Sequence, residues 1–303
     1  MTDIETLLKE NEDSLKNRDP KANKGTYGRL LVIAGSKGMA GAAYLNCIGA
    51  FRTGIGMVRV FGPEANRSIL QISLPEAMYS TADKPDGSID RDELVRAVGW
   101  ADYISVGSGL SRSDYAEALM ALLYEEDIRR RLRDKELLIL DADALNIIAE
   151  SGRDPGGLCR NTVITPHIGE MGRLTGSKAE DIKRDPMGCA RRYREKHKNV
   201  TVVLKDNITA VAGEKSILSD SGCGAMAKAG SGDVLCGFIA GITGVLRGNT
   251  ADAVPVAVWL HGRAGSIAAA EKGCHSILAS DIADAAGKAL LDPVGKGRDG
   301  RLR

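Results

Sequence analysis

The sequence predicts an α/β fold, a mostly parallel central sheet with helices on both faces. Three observations lead there. Short aliphatic or β-branched runs at residues 30–34, 57–61, 103–106, 137–140, 162–165 and 201–204 lack polar alternation, which marks strands buried on both sides. Amphipathic or Ala-rich stretches that can serve as crossover helices separate most of these runs, at 41–53, 90–98, 114–124, 144–150 and 179–196. Glycine, at 36 of 303 residues, is abundant enough for many tight turns. Three more helices are expected at 233–246, 251–272 and 280–290, and residues 208–218 read as a hairpin turning at Gly213-Glu214. The charged segment 124–136 reads as a solvated helix face.

No linker or repeat divides the chain, so residues 1–303 are expected to form one domain. Residues 1–24 read as a short helix and mobile lead-in, and the basic, Gly-rich stretch 292–303 as a disordered tail. A net charge of +1 and 4% aromatic residues argue against nucleic-acid and membrane-surface partners. No apolar run reaches the ~20 residues that span a bilayer, and the first residues do not read as a secretory leader. Cysteines 47, 159, 189, 223, 236 and 274 form no Cys-x-x-Cys pair. They suit a reduced, cytoplasmic protein and not a zinc or disulfide framework. The Ala-rich helices at 251–270 and 280–290 suit either the core or packing against further copies; the expectation is a homo-oligomer, with a tetramer in view.

The run Ala229-Gly230-Ser231-Gly232-Asp233 carries the most chemistry. Its glycines let backbone N–H groups converge at the start of an apolar helix, a natural anion site suited to phosphate. Asp233 then sets a carboxylate beside that anion, either as a helix cap or as an acceptor for a hydroxyl proton. A helix N-terminus is expected to lower its pKa and make it a weak base.

Other polar clusters fall at strand ends, where open parallel sheets bind ligands. They are Lys24–Gly28 before the first strand, Gly35–Ala43 after it, Gly107-Ser108-Gly109, Asp141-Ala142-Asp143, Pro166–Glu170 and Lys205-Asp206. Asp141 reads as a helix cap or as a contact to Mg²⁺ through water or phosphate. His167 reads as a hydrogen-bonding turn residue or a ligand contact. Lys205 either snorkels or meets a nucleotide. Neither a P-loop nor a complete Gly-x-Gly-x-x-Gly dinucleotide fingerprint is present.

The Gly230-Ser231-Gly232-Asp233 turn resembles the mark of the ribokinase-like superfamily. Lys24-Gly25-Thr26-Tyr27-Gly28, Ile33-Ala34-Gly35-Ser36 and Gly41-Ala42-Ala43 look like the opening of the NAD(P)H-hydrate dehydratases. Asp141-Ala142-Asp143-Ala144-Leu145-Asn146, Thr165-Pro166-His167-x-Gly169-Glu170 and Gly230-Ser231-Gly232-Asp233-Val234-Leu235 match the same family in order, so the resemblance runs from about residue 24 to 290. It implies repair of nicotinamide cofactors hydrated at C6. ADP or ATP would phosphorylate the ring hydroxyl of NADHX or NADPHX, in the S form, and phosphate would then leave, with AMP or ADP as the other product. The family's residues carry over as Lys205, Asp206, Asn207, Ile208, Thr209 and Gly232 for the nucleotide. Gly230, Ser231 and Gly232 would hold the transferring phosphate. Ala42 or Ala43, Gly109, His167 and Asp233 would line the hydrate pocket, with Asp233 catalytic. Mg²⁺ would accompany the nucleotide. Ser108, Ile168, Cys223 and Ala229 depart from the usual family residues. The chain is also expected to lack the epimerase domain that bacterial relatives often carry. A small-molecule kinase of the same fold is the alternative function, distinguished by a stable phosphoester product.

Overall fold

The computed structural model describes residues 1–295. In chain order the elements are α1 (Ile4–Glu10), α2 (Glu12–Lys16), β1 (Arg29–Ile33), α3 (Ala40–Arg52), β2 (Met57–Gly62), α4 (Arg67–Ser73), β3 (Met78–Thr81), α5 (Arg91–Trp100) and β4 (Tyr103–Val106). There follow α6 (Asp114–Leu123), α7 (Glu126–Arg133), β5 (Leu137–Leu140), α8 (Asp143–Ser151), β6 (Thr162–Ile164), α9 (Ile168–Thr175), α10 (Ala179–Arg184), α11 (Pro186–Lys196) and β7 (Val200–Leu204). The chain closes with β8 (Thr209–Ala212), β9 (Ile217–Ser219), α12 (Ser231–Val245), α13 (Thr250–Lys272), α14 (Ala279–Asp284) and α15 (Ala286–Leu291).

The strands of the described residues form one nine-stranded sheet in the order β3-β2-β1-β4-β5-β6-β7-β8-β9. Pairings from β3 to β7 are parallel, and β7-β8-β9 are antiparallel. Alternation within each apolar strand feeds two cores. Leu30 and Val32 of β1 face the core built with α3, α12 and α13, whereas Leu31 and Ile33 face the core under α5 to α9. The missing polar face in these strands is thus explained by burial on both sides.

The expected strands are present, as is the hairpin, whose loop spans residues 213–216. α4 and edge strand β3 were not anticipated; β3 is only four residues long, with a burial pattern that is partly exposed and not continuously apolar. The single helix expected at 179–196 is two helices, because Pro186 starts α11 and holds Asp185 at φ −142°, ψ 70°. The helix expected at 280–290 likewise divides at Ala285. The short helix expected near the start is present as two, α1 and α2, and it is packed: Leu7, Leu8 and Leu15 are buried in the larger core. Of the segment expected to be a disordered tail, residues 292–295 dock on α13, where Trp259 Nε1 donates to Pro293 O at 3.3 Å and Arg263 pairs with Asp292 at 2.8 Å. Residues 296–303 lie outside the described residues. The apolar residues of α13 are consumed inside the chain's own core, with Ala253, Ala257, Leu260 and Ala264 fully buried.

α12 leans on α3 through glycine. A methyl group at Gly237 would lie 2.6 Å from Ala50 N, and one at Gly49 would lie 2.6 Å from Val234 O. Only hydrogen fits between the two backbones, and that contact sets where the first turn of α12 meets the sheet.

Candidate active site

Strand order reverses between β1 and β4, since β2 and β3 continue one way and β5 onward the other. Open α/β sheets bind ligands in the crevice outside the strands' carboxyl ends at such a switch point. The loops leaving β1 and β4 are tied across it: Gly35 N donates to Ser108 O at 2.8 Å and Ser36 N to Gly109 O at 2.7 Å. Gly35, Gly107 and Gly109 all adopt positive φ. At Gly107 a side chain would strike Asp141 O, and at Gly109 it would lie 2.7 Å from Ala42 Cβ. Ala43 is fully buried, which leaves Ala42 as the partly exposed alanine on this rim.

A cavity of about 700 Å³ opens between the β7–β8 turn, the first turn of α12 and the middle of α13. That size suits a small-molecule or cofactor ligand. Lys205, Asp206, Asn207, Thr209, Ser231 and Gly232 line it. Ile208 is half exposed beside them, and Gly230 turns the chain into α12 at φ 93°. Ser231 Oγ donates to Met226 O at 2.8 Å, and His261 Nε2 lies 3.0 Å from Ser231 O. Burial pushes His261 down to about 4, so the ring is neutral at pH 7 and its Nε2–H donates to the turn. The folded chain therefore resists protonating a ring that is readily protonated when unfolded. Stability should be full above about pH 6.5 and fall by roughly 3 kcal/mol toward pH 4. Urea unfolding of His261→Gln should show a shallower acid loss than the parent, and an unchanged acid slope would refute this.

Asp233 stands between crevice and cavity. Burial, then the Asp141 carboxylate, push its pKa up to about 7, while a hydrogen bond from Ser108 and the Lys205 ammonium pull the other way. This corrects the expectation of a weak base: desolvation and a like charge outweigh the helix terminus. Ser108 is itself oriented by buried Asn46, whose Nδ2 lies 3.4 Å from Ser108 Oγ and donates to Ser105 Oγ at 2.8 Å.

Beneath Gly232, Lys205 Nζ donates to Asp141 Oδ1 at 2.7 Å and Thr165 Oγ1 donates to the same oxygen at 2.5 Å. Burial opposes both charges, yet their attraction holds Lys205 above and Asp141 below their usual ranges. The Asp141 carboxylate, expected to contact Mg²⁺ through water or phosphate, is engaged here by an ammonium. No group of three or more His, Cys, Asp or Glu among the described residues is arranged to hold a metal by side chains alone.

His167 lies on the cavity wall and caps α9, its Nδ1 accepting from Gly169 N at 2.9 Å while Glu170 Oε2 accepts from His167 N at 2.8 Å. Its Nε2 lies 3.4 Å from Oε1 of the same Glu170. The Lys24–Gly28 segment was placed on the wrong rim. Gly28 O accepts from Met57 N, and a side chain at Gly28 would strike Tyr103, so the segment sits at the amino ends of β2 and β4.

A family model described as NAD(P)H-hydrate dehydratase matches residues 30–288, most of the chain. The chain belongs to the NAD(P)H-hydrate dehydratase family. It is 35% identical over 277 residues to a bifunctional NAD(P)H-hydrate repair enzyme of Moorella thermoacetica, covering 89% of this chain and 50% of that one. It thus spans about half the length of the bifunctional relatives it matches. The ADP-dependent (S)-NAD(P)H-hydrate dehydratase of Bacillus subtilis is 31% identical, covering 89% of this chain and 92% of that one. A structure of the Bacillus subtilis ADP/ATP-dependent enzyme co-crystallized with ATP/Mg²⁺ superposes with a TM-score of 0.75 at 29% identity, covering 92% and 95% of the two chains. A ribokinase-like superfamily protein of Enterococcus faecalis shares the fold at 23% identity and TM-score 0.75, over 92% and 93% of the two chains.

Residues that reading the sequence for family motifs missed are those that hold the site from behind. Thr165 lay within a quoted motif, but its bond to Asp141 spans 24 positions. Asn46 and His261 lie inside apolar helices with no local polar pattern. Their only trace in the sequence is a polar residue where the periodicity calls for an apolar one.

Proposed function

We propose that this chain restores NADH and NADPH from the S form of their C6 hydrates by nucleotide-dependent dehydration. One observation carries the reading within this family: a carboxylate with a pKa near 7 stands between an anion-binding helix turn and the switch-point crevice. In this reading the hydrated ring enters the crevice against Ala42 and Gly109, with its hydroxyl toward Asp233. The nucleotide occupies the cavity along residues 205–209, and its terminal phosphate meets the N–H groups of Gly230, Ser231 and Gly232.

Asp233 takes the hydroxyl proton as the ring oxygen bonds to phosphorus and the bond to the departing nucleotide breaks. ADP then leaves as AMP, or ATP as ADP. In the second step the ring C–O bond breaks and phosphate departs with the electron pair. Loss of a ring proton restores the double bond. Hydroxide is a poor leaving group and phosphate a good one, which is why a kinase scaffold serves a dehydration. Mg²⁺ would travel with the nucleotide phosphates. ADP is the donor favoured by the name of the Bacillus subtilis relative. The cysteines of the described residues are all free, which supports a reducing, cytoplasmic setting, and no described helix is long and apolar enough to cross a membrane.

The test is to mix the protein with (S)-NADPH hydrate, Mg²⁺ and ADP or ATP. Recovery of NADPH absorbance with release of free phosphate is expected. A stable phosphoester without recovery would mark a kinase, and no reaction with either nucleotide would sink the proposal.

A further inference from the structure

We propose that Asp141 is a positioning residue that pins Lys205 beneath the phosphate turn and so keeps its ammonium from neutralising Asp233. The inference rests on the dehydratase reading for its consequence in turnover, but its geometry stands apart from it. Asp141 follows β5, Thr165 follows β6 and Lys205 follows β7, so three adjacent strand ends meet at one carboxylate oxygen, with Asp141 2% exposed. A methyl group on Gly232 would lie 3.2 Å from Lys205 Nζ and 3.8 Å from Asp141 Oδ2, so the turn rests directly on the pair.

A buried ion pair adds little to stability compared with apolar packing, so another reason for its presence is required. The charges around Asp233 supply one. Asp141 and Asp143 disfavour its ionised form, and Ser108 and Lys205 favour it. On its own helix, Cys236 is a buried thiol whose ionisation Asp141 and Asp233 oppose. From α9, Glu170 adds its attraction to Lys205. Lys205 is the cation facing this group, and a lysine free to choose would swing to Asp233. Held by Asp141 and Thr165, it stays under Gly232. There it serves the developing charge on the transferring phosphate and leaves Asp233 available as a base.

The test reads the Asp233 carboxyl directly by carbon NMR titration of Asp-labelled protein, assigned with Asp233→Asn. In Asp141→Asn the titration should move down by about one unit or more, since the carboxylate charge beside Asp233 is gone and an unpaired ammonium now faces it. The acid limb of kcat should move with it while kcat falls. The double variant Asp141→Asn/Lys205→Gln, which removes both charges, should bring the titration back toward the parent value. Should Asp141→Asn not fold, Thr165→Val keeps both charges but loosens the carboxylate, and a smaller downward shift is expected. An unmoved titration in the variants that fold, with only a lower Tm, would overturn the proposal. A shifted carboxyl in a protein that does not dehydrate the hydrate would leave the positioning role standing and refute the dehydratase reading instead.

Discussion

Replacing Asp233 by Asn is expected to cut turnover about 10³-fold, the order contributed by a positioned general base, while leaving nucleotide affinity within a few-fold. Asp233 does not line the cavity proposed for the nucleotide, where Lys205, Ser231 and Gly232 would remain as its contacts. The same substitution should stabilise the fold at alkaline pH. A carboxyl raised from its ordinary value near 3.8 to about 7 contributes most to stability below pH 3.8. That contribution is lost as pH rises through 7, where the ionised group must sit partly buried beside Asp141. Asparagine carries no such charge. The variant should therefore match the parent near pH 4 and exceed it at pH 8 by about 3 kcal/mol, allowing for partial exposure. Urea unfolding at the two pH values, together with nucleotide titration, checks both halves. Near-normal turnover would remove Asp233 from the mechanism, and equal stability at pH 8 would show that its carboxyl is not strained.

Gly237→Ala is the second large expectation. The added methyl would strike Asn46 O and sit 2.6 Å from Ala50 N and 2.9 Å from Gly49 C, all helix backbone that cannot turn aside as a side chain would. Overpacking a dense core costs about 1–3 kcal/mol when side chains can adjust, and here relief requires α12 to move off α3. A loss of about 3 kcal/mol or more is expected. Turnover of whatever folds should also fall, because the first turn of α12 carries Gly232 and Asp233. Alanine is the better helix former, so propensity alone predicts a gain of about 1 kcal/mol. A variant as stable as the parent would mean that the helices are not locked at this contact.

Much of the fold was legible because its physics is local. Strands buried on two faces must be apolar throughout, and the runs around Leu30, Leu137 and Val202 read as strands without any tertiary knowledge. The turn before Asp233 was legible for a similar reason: glycines ahead of an apolar helix allow few other conformations. Edge strand β3 was not, because a short strand half open to solvent leaves no such signature. Lys24–Gly28 was grouped with the ligand-binding strand ends but sits on the opposite rim, since a polar cluster before a strand and one after it look alike in sequence.

The sequence by itself determined the parallel α/β architecture, the glycine turn ahead of α12 and the carboxylate beside it. Tertiary structure decided the rest, starting with the two alanines that the family resemblance offered: Ala43 enters the core and Ala42 meets Gly109. It also reversed the expected chemistry of Asp233. A helix terminus is a property of the local chain and predicts a low pKa. The burial and the Asp141 charge that raise it come from the ends of other strands, brought together only when the sheet closes.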